Sequence, residues 1–123
     1  MARILLIDDS DEFRDVFKEI LERSGYIVVD AAGGDEGIRR YKENPVDLVI
    51  TDIVMPGKEG LETMMELRRA NPAVKIIAIS GGGFEDPSTY LEGAALLGGA
   101  IRTFTKPFPM DKMLLAIKEV LAS

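Results

Sequence analysis

The chain alternates between short apolar runs and longer segments in which apolar residues recur every three or four positions. The short runs are rich in Ile, Val and Leu and lie at Arg3–Ile7, Tyr26–Val29, Asp47–Thr51, Lys75–Ser80 and Ala100–Thr105. Most of them are almost continuously apolar, which is typical of strands buried on both faces of a parallel sheet. We therefore predict five β-strands in this chain.

The longer segments have the apolar spacing of amphipathic helices. They predict five helices, at Asp11–Ser24, Gly34–Lys42, Leu61–Ala70, Pro87–Leu97 and Met110–Ala122. Ser10 or Asp11 is a suitable N-cap for the first helix, and Gly25 is a suitable stop. Strict alternation of strands and helices indicates a doubly wound α/β fold, with a parallel sheet and helices on both of its faces. We expect one domain that spans residues 1–123.

Composition narrows the classes of function. The 123 residues include 15 basic and 21 acidic side chains, a net charge of −6, and no cysteine or histidine. An acidic domain repels phosphate backbones and anionic lipid, so we expect neither nucleic acid nor a membrane as a partner. The missing residue types exclude disulfides, thiolate or imidazole metal sites and histidine-based catalytic triads. The N-terminus does not resemble a signal peptide and the apolar runs are short, so we expect a cytoplasmic protein.

Polar residues stand where four of the predicted strands end. They are Asp8-Asp9, Asp52, Ser80 and Lys106, after strands one, three, four and five respectively. The carboxyl ends of parallel strands meet at one edge of a sheet, and ligands of doubly wound folds bind there. We therefore expect three carboxylates, one hydroxyl and one ammonium in one crevice.

This combination points to metal-assisted phosphoryl transfer. Carboxylates held close together raise one another's pKa, and a bound cation relieves their repulsion. Oxygen ligands of this kind suit Mg²⁺, which commonly also binds a substrate phosphate. Lys106 and Ser80 can donate hydrogen bonds to phosphoryl oxygens, which leaves Asp52 as a nucleophile that would form an aspartyl-phosphate.

Each residue taken alone also has an ordinary structural interpretation. Asp8-Asp9 after a strand more often forms a turn or a helix cap, and Asp52 could open a turn. Ser80 alone would most often be a cap or a surface hydroxyl, and Lys106 alone would most often lie in a solvated loop. The functional interpretation depends on the coincidence of these residues at four strand ends.

Four segments in this order resemble the receiver domains of two-component response regulators, including the stand-alone chemotaxis-type receivers. They are Ile4–Ser10 (ILLIDDS), Asp47–Gly57 (DLVITDIVMPG), Ile79–Gly81 (ISG) and Phe104–Phe108 (FTKPF). The resemblance covers essentially the whole chain. It implies a flavodoxin-like five-stranded parallel sheet with strand order 2-1-3-4-5 and five helices.

The resemblance also implies a Mg²⁺ site. Asp9 would bind the ion directly, Asp8 would act through water, and Asp52 and the backbone carbonyl of Val54 would complete the protein ligands. Asp52 would accept the phosphoryl group from a phosphohistidine on a sensor histidine kinase or a histidine phosphotransfer protein.

The remaining implied roles concern the phosphorylated state. Lys106 would contact the phosphoryl group and Ser80 would move to hydrogen-bond it, which would change interactions with an unknown downstream protein. The Lys106–Pro107 peptide is expected to be cis. Such a domain is a signalling switch rather than an enzyme, because its only chemistry is accepting and slowly losing its own phosphoryl group.

Three features depart from the family's usual pattern. The family often has Tyr or Phe three residues before the lysine, where this chain has Thr103, and adjacent strand residues face opposite ways, so Phe104 is not expected to replace it. Three glycines, Gly81–Gly83, follow Ser80, which we interpret as a flexible hinge. Val54 and Gly82 cannot orient an attacking water through a side chain, so we predict a phosphorylated state that is not unusually short-lived.

Three alternatives stay open. A Mg²⁺-dependent phosphohydrolase with an aspartate nucleophile would usually need a second acid at Val54, and a flavin carrier would need a neutral loop in place of Asp8-Asp9. A degenerate receiver could act only as an interaction scaffold. The output surface is also open: Tyr90, Arg102 and Lys112 are candidates, and the protein could be a monomer or a phosphorylation-dependent dimer.

Overall fold

The computed structural model describes residues 1–53, 60–80 and 98–123. Within these ranges there are five strands: β1 (Arg3–Ile7), β2 (Ile27–Ala31), β3 (Leu48–Asp52), β4 (Ile76–Ser80) and β5 (Arg102–Thr105). The same ranges contain four helices: α1 (Asp11–Arg23), α2 (Gly34–Glu43), α3 (Gly60–Ala70) and α4 (Met110–Ala122). The predicted helix Pro87–Leu97 lies outside the described residues, and the other four predicted helices are confirmed.

All described strand pairs are parallel, and the strand order is β2-β1-β3-β4-β5. The predicted sheet and its order are therefore confirmed. This order places β3 between β1 and β4, so the end of β3 has the Asp8-Asp9 segment on one side and Ser80 on the other. Among the described helices, none has the length and apolarity required to cross a bilayer.

The sheet buries a separate apolar cluster on each of its faces. On one face, Leu5, Ile7 and Val49 of the sheet pack with Ile38 and Tyr41 of α2 and with Met64 and Leu67 of α3. On the other face, Ile4, Leu6 and Ile50 pack with Phe17 and Leu21 of α1 and with Met113, Ile117 and Val120 of α4. Successive strand residues alternate between these clusters, which explains why β1, β3 and β4 are apolar except at Arg3, Thr51, Asp52 and Ser80.

Strand β5 differs from the predicted buried run. It begins at Arg102 rather than Ala100, and three of its four residues are exposed. The physical reason is that β5 is the last strand in the sheet and pairs only with β4. An edge strand needs fewer apolar residues than a central strand, so its sequence, Arg-Thr-Phe-Thr, carries a weaker apolar signal.

The start of α1 is fixed by the cap that the sequence predicts. Ser10 is the N-cap, and its Oγ accepts a hydrogen bond of 3.3 Å from the backbone N–H of Phe13. The helix ends at Arg23, and Gly25 follows with a φ of 97°, a conformation that favours glycine. This cap sets the position of α1 directly after Asp8 and Asp9.

Gly60, the first described residue of α3, lies against the backbone at the end of β3. A Cβ at Gly60 would overlap the Cα of Ile53 and the carbonyl oxygen of Asp52. We expect Gly60→Ala to lower the free energy of unfolding by about 2 kcal/mol, because backbone atoms cannot move aside cheaply. The gain in helix propensity, at most about 1 kcal/mol, is smaller than this cost.

Chemical denaturation of the two proteins measures this difference. Gly33→Ser is the matched control, because a Cβ at Gly33 meets nothing within 4 Å and the hydroxyl would stand at the N-cap of α2. We expect the control to leave the free energy of unfolding unchanged or slightly raised. Equal stability of Gly60→Ala and the native chain would show that α3 does not constrain the end of β3.

Candidate functional site

Three carboxylates meet at the carboxyl ends of β1 and β3. One oxygen from each of Asp8, Asp9 and Asp52 lies within 4.8 Å of the others. Asp8 is fully buried, Asp52 is 3% exposed, and Asp9 is exposed. Asp52 is itself the last residue of β3 rather than the residue after it, because the strand continues to pair with Ile79 of β4 at that position. The cluster that the sequence predicts is therefore present.

Lys106 supplies the positive charge in this cluster. Its Nζ donates to Asp8 Oδ2 at 2.7 Å and to Asp52 Oδ2 at 3.2 Å. Burial of the ammonium opposes its charge, but the hydrogen bond that it donates to Asp8 and the charges of Asp8 and Asp52 outweigh burial and raise the pKa of Lys106. Among the charges of the described residues in this cluster, one ammonium lies beside three carboxylates, which leaves an excess of negative charge.

The Lys106 side chain also contacts an aromatic ring. Its Nζ lies 3.9 Å from the ring centroid of Phe13. Phe13 belongs to a group of four rings between α1 and the segment around β5, with neighbouring centroids 5.4–6.1 Å apart: Phe13, Phe17, Phe104 and Phe108. Attraction between the ammonium and the ring adds to the ion pairs that hold Lys106 towards the acids.

The turn that carries Asp8 and Asp9 is held by hydrogen bonds at several atoms. Asp8 Oδ1 accepts from the backbone N–H of Ser10 at 2.8 Å, and the Asp8 N–H donates to the carbonyl of Ala31 at 3.1 Å. The Asp8 carbonyl accepts from Nη1 of Arg14 at 2.7 Å. The position of Asp8 is thus fixed through its side chain and through both of its backbone polar groups.

Ser80 lies at the same edge of the sheet, at the end of β4. It is fully buried, and its hydroxyl has no hydrogen-bond partner among the described residues. Its carbonyl accepts from the N–H of Lys106 at 2.7 Å, which joins β4 to the segment that carries the lysine. A buried hydroxyl without a partner is costly, and such a group commonly serves a ligand or a catalytic role.

We expect Ser80→Ala to raise the free energy of unfolding of the unphosphorylated protein by about 1 kcal/mol, because it removes a buried unsatisfied group. Thr51→Val is the matched control, since the buried hydroxyl of Thr51 donates to the Asp52 carbonyl at 3.0 Å. This control should lose about 1 kcal/mol instead. Denaturant unfolding measures both free energies. A loss of stability in Ser80→Ala would contradict the interpretation that the Ser80 hydroxyl lacks a hydrogen bond in the unphosphorylated protein.

The donor set fits Mg²⁺. Carboxylate oxygens are hard ligands, and one or two carboxylates are the usual protein contribution to a magnesium site. The excess negative charge of Asp8, Asp9 and Asp52 over Lys106 also favours a divalent cation. The Ser80 hydroxyl, without a partner in the part of the chain that the structure describes, is consistent with a further oxygen-bearing group at the same edge.

Comparison with known proteins identifies the family. The sequence model for the response regulator receiver domain matches residues 4–118. The chain belongs to the response regulator receiver domain family. It is 36% identical over 121 residues to the chemotaxis protein CheY of Halobacterium salinarum, with 98% of each chain covered.

Solved receiver structures resemble this receiver closely. A CheY-like receiver domain protein from Methanospirillum hungatei has a TM-score of 0.88 and 32% identity, covering 99% of this chain and 94% of that one. The response regulator TrrA from Thermotoga maritima, solved in complex with Mg²⁺-BeF, has a TM-score of 0.85 and 32% identity, covering 98% and 99%. As a receiver, the chain acts in two-component signal transduction as a phosphoacceptor domain.

The structure brings together most of the residues that the sequence predicted for the receiver site. Asp8, Asp9, Asp52 and Lys106 are in one cluster, Ser80 is at the same edge, and the Lys106–Pro107 peptide is cis as predicted. Val54, the fourth predicted metal ligand, lies outside the described residues. Gly81–Gly83 and Tyr90, a candidate residue of the output surface, also lie outside the described residues.

The prediction about Thr103 and Phe104 is also confirmed. Phe104 packs against the cluster beneath α1 and α4, 5.6 Å from the ring of Phe108. Thr103 is exposed and pairs with Ala78 of β4, whose side chain belongs to the cluster on the other face. Phe104 therefore does not take the place of an aromatic residue at position 103 in this receiver.

Sequence reasoning missed two side chains that support the site. Phe13 has the apolar spacing of a core residue of α1, and Arg14 is a charged residue on the same helix, so the sequence singles out neither. Arg14 is one of seven charged residues from Glu12 to Arg23 that share the polar positions of this helix, and no spacing rule separates it from the others. Only its distance to the Asp8 carbonyl shows its connection to the acidic cluster.

Proposed function

We propose that Asp52 is the phosphoacceptor and that it receives a phosphoryl group from a phosphohistidine of a sensor histidine kinase or a histidine phosphotransfer protein. The observation that carries this proposal is the convergence of Asp8, Asp9 and Asp52 with the ammonium of Lys106. A carboxylate oxygen of Asp52 attacks phosphorus as the P–N bond of the donor breaks, and the bonding electron pair leaves with the imidazole nitrogen. The product is an aspartyl-phosphate.

The position of β3 supports the choice of Asp52 as nucleophile. β3 lies between β1 and β4. Asp52 is therefore flanked by the carboxylates of Asp8 and Asp9 on one side and by the hydroxyl of Ser80 on the other. Asp8 has a hydrogen-bond donor on each carboxylate oxygen, from the Ser10 N–H and from Lys106. Asp9 is exposed. Asp52 is therefore the carboxylate with the surroundings that in-line transfer needs.

Mg²⁺ would be held by Asp8, Asp9, Asp52 and the carbonyl of Val54, where it would neutralise negative charge on the transferring group. Lys106 contributes a second positive charge, and its contacts with Asp8 and Asp52 place that charge beside the nucleophile. The Ser80 hydroxyl, buried without a partner among the described residues, would donate to a phosphoryl oxygen.

The phosphorylated chain would act as a signalling switch. It would not be an intermediate of an enzyme that passes the phosphoryl group to a second substrate. The Ser80 hydroxyl, which has no partner among the described residues, would gain one from a phosphoryl group. Because the Ser80 carbonyl accepts from the N–H of Lys106, a change at Ser80 would reach β4 and the segment after β5. Output through a downstream protein, with the chain as monomer or phosphorylation-dependent dimer, stays a prediction. The same holds for a single domain over residues 1–123, the cytoplasmic location and the absence of nucleic-acid and membrane partners.

Intact mass spectrometry of the native chain tests this function. The protein is incubated with acetyl phosphate, a small acyl-phosphate donor, with Mg²⁺ or with a chelator. A gain of one phosphoryl group that requires Mg²⁺ is the expected result. If no adduct forms and calorimetry also detects no Mg²⁺ binding, the scaffold alternative is favoured and Asp8, Asp9 and Lys106 have structural roles only.

A further inference from the structure

Arg14 connects three elements around the acidic turn. Its guanidinium donates from Nη1 to the Asp8 carbonyl at 2.7 Å, from Nε to Asp30 Oδ2 at 2.9 Å and from Nη2 to Asp11 Oδ1 at 2.7 Å. The side chain is 12% exposed, whereas that of Arg23, on the same helix, is 79% exposed. All three guanidinium nitrogens thus have an acceptor, and the side chain has one fixed geometry.

The hydrogen bond to the Asp8 carbonyl fixes the position of Asp9 as well. The peptide unit is planar, so a bond to the carbonyl oxygen of Asp8 also sets the amide nitrogen and Cα of Asp9. The same unit begins at a residue whose N–H is bonded to the end of β2 at Ala31. Asp9 is exposed, so its orientation depends on this backbone rather than on surrounding side chains.

Asp30 anchors Arg14 from the opposite side. It lies on β2 next to Ala31 and also accepts from Lys18 at 3.4 Å. Burial disfavours the charged carboxylate, but the hydrogen bond from Arg14 and the charge of Lys18 outweigh burial and lower the pKa of Asp30. The Arg14–Asp30 ion pair therefore ties α1 to the end of β2, and the Asp8-Asp9 turn lies between them.

Geometry and charge predict opposite effects of Arg14 on a bound cation. A guanidinium near a metal site repels the metal, so charge alone predicts that loss of Arg14 tightens Mg²⁺ binding. Loss of an outer group that orients the ligands predicts weaker binding, commonly by 10- to 100-fold. Asp11 and Asp30 bond directly to the guanidinium and offset its charge, which favours the second effect.

We propose that Arg14 is a positioning residue for Mg²⁺: through the Asp8 carbonyl, it holds the Asp8-Asp9 turn in the arrangement that binds the ion. This inference rests on the proposed function. Arg14 does not touch the metal or the phosphoryl group, and its effect passes through the backbone of Asp8 to the carboxylate of Asp9.

Calorimetric titration with Mg²⁺ measures the dissociation constant of the native chain and of three variants. We expect Arg14→Ala to bind Mg²⁺ about 10-fold more weakly. Arg14→Lys keeps the charge but loses the planar fork of donors, so it should also bind more weakly. Arg23→Ala, which removes an exposed ion pair with Glu19, is the matched control and should bind like the native chain.

Phosphoryl uptake provides a second readout that a loss of stability would not reproduce. In Arg14→Ala, the Mg²⁺ concentration for half-maximal uptake should rise about 10-fold, while the maximal rate stays within about 2-fold. Circular dichroism checks that each variant is folded. If Arg14→Ala does not fold, Arg14→Lys carries the test.

The possible results separate the positioning role of Arg14 from the proposed function. Unchanged or tighter Mg²⁺ binding in the folded Arg14 variants would overturn the positioning role while leaving the proposed function intact. A reduced maximal rate with an unchanged half-saturating concentration would also overturn it. A native chain that binds no Mg²⁺ would overturn the proposed function and this inference together.

Discussion

A chain that carries Asp52→Ala is expected to gain no phosphoryl group from acetyl phosphate at any Mg²⁺ concentration. Asp8 is fully buried with hydrogen-bond donors on both carboxylate oxygens, and Asp9 is exposed and follows β1, whereas Asp52 ends β3, which lies between β1 and the strand that carries Ser80. Neither carboxylate therefore has the surroundings of Asp52. Because the nucleophile itself is removed, we expect loss of the adduct rather than slower formation.

Folding and charge are controlled separately in this experiment. Asp52→Ala removes one of three neighbouring carboxylates, and the ion pair between Lys106 and Asp8 at 2.7 Å remains. We therefore expect the variant to stay folded, as judged by thermal unfolding. Asp15→Ala, which removes an exposed acid from α1, should gain the phosphoryl group like the native chain. An adduct of equal yield on Asp52→Ala would contradict the assignment of the nucleophile.

Lys106→Met is expected to slow phosphoryl uptake by about 100-fold at saturating Mg²⁺. The ammonium lies 3.2 Å from Asp52 Oδ2, where a transferring phosphoryl group would place negative charge on its oxygens. Methionine preserves much of the apolar length of the side chain beside Phe13 but supplies no charge. Single-mixing measurements of phosphoryl uptake at several Mg²⁺ concentrations give the rate.

Lys106→Met is expected to slow phosphoryl uptake without weakening Mg²⁺ binding. Loss of the ammonium removes the ion pairs that Lys106 makes with Asp8 and Asp52, so the excess negative charge grows and Mg²⁺ affinity should not fall. Lys112→Met, an exposed change on α4, is the control and should react at the native rate. A native rate of phosphoryl uptake in Lys106→Met would assign Lys106 a structural role. Loss of Mg²⁺ binding would indicate that the substitution had disrupted the arrangement of the three carboxylates.

The order and type of the elements were predictable because a parallel sheet imposes a simple pattern. Strands β1, β3 and β4 are buried on both faces and are therefore mostly apolar, with polar residues only at their ends. The limits of β5 were less predictable, because an edge strand has one neighbour and tolerates Arg102 and Thr103. The described ends of the other strands differ from prediction by at most two residues, within the range that local pattern leaves open.

The acidic cluster was predictable for a topological reason. Residues at the carboxyl ends of parallel strands converge wherever they stand in the chain, so Asp8, Asp52 and Lys106 meet although Asp8 and Lys106 are 98 residues apart. The residues that orient them follow no such rule. Arg14 reaches the Asp8 carbonyl and Phe13 reaches Lys106 through side-chain conformations that depend on packing between α1, β2 and β5.

The buried state of Ser80 could not be read from the sequence either. A serine at a strand end is compatible with a surface hydroxyl or a cap, and only the packed structure shows that this one is fully buried without a partner among the described residues. The same holds for Gly60, whose contact with the carbonyl of Asp52 depends on how closely α3 approaches β3. Sequence patterns specify which residues converge, whereas packing determines how closely and with what hydrogen bonds.

Locating the phosphoryl group on the native chain tests the central claim most directly. After reaction with acetyl phosphate and Mg²⁺, hydroxylamine converts an acyl phosphate to a stable hydroxamate, and peptide mass spectrometry identifies the modified residue. The account predicts a single modification at Asp52 that is absent when Mg²⁺ is chelated. Modification at Asp8, Asp9 or another residue, or modification of Asp52 to the same extent without Mg²⁺, would contradict it.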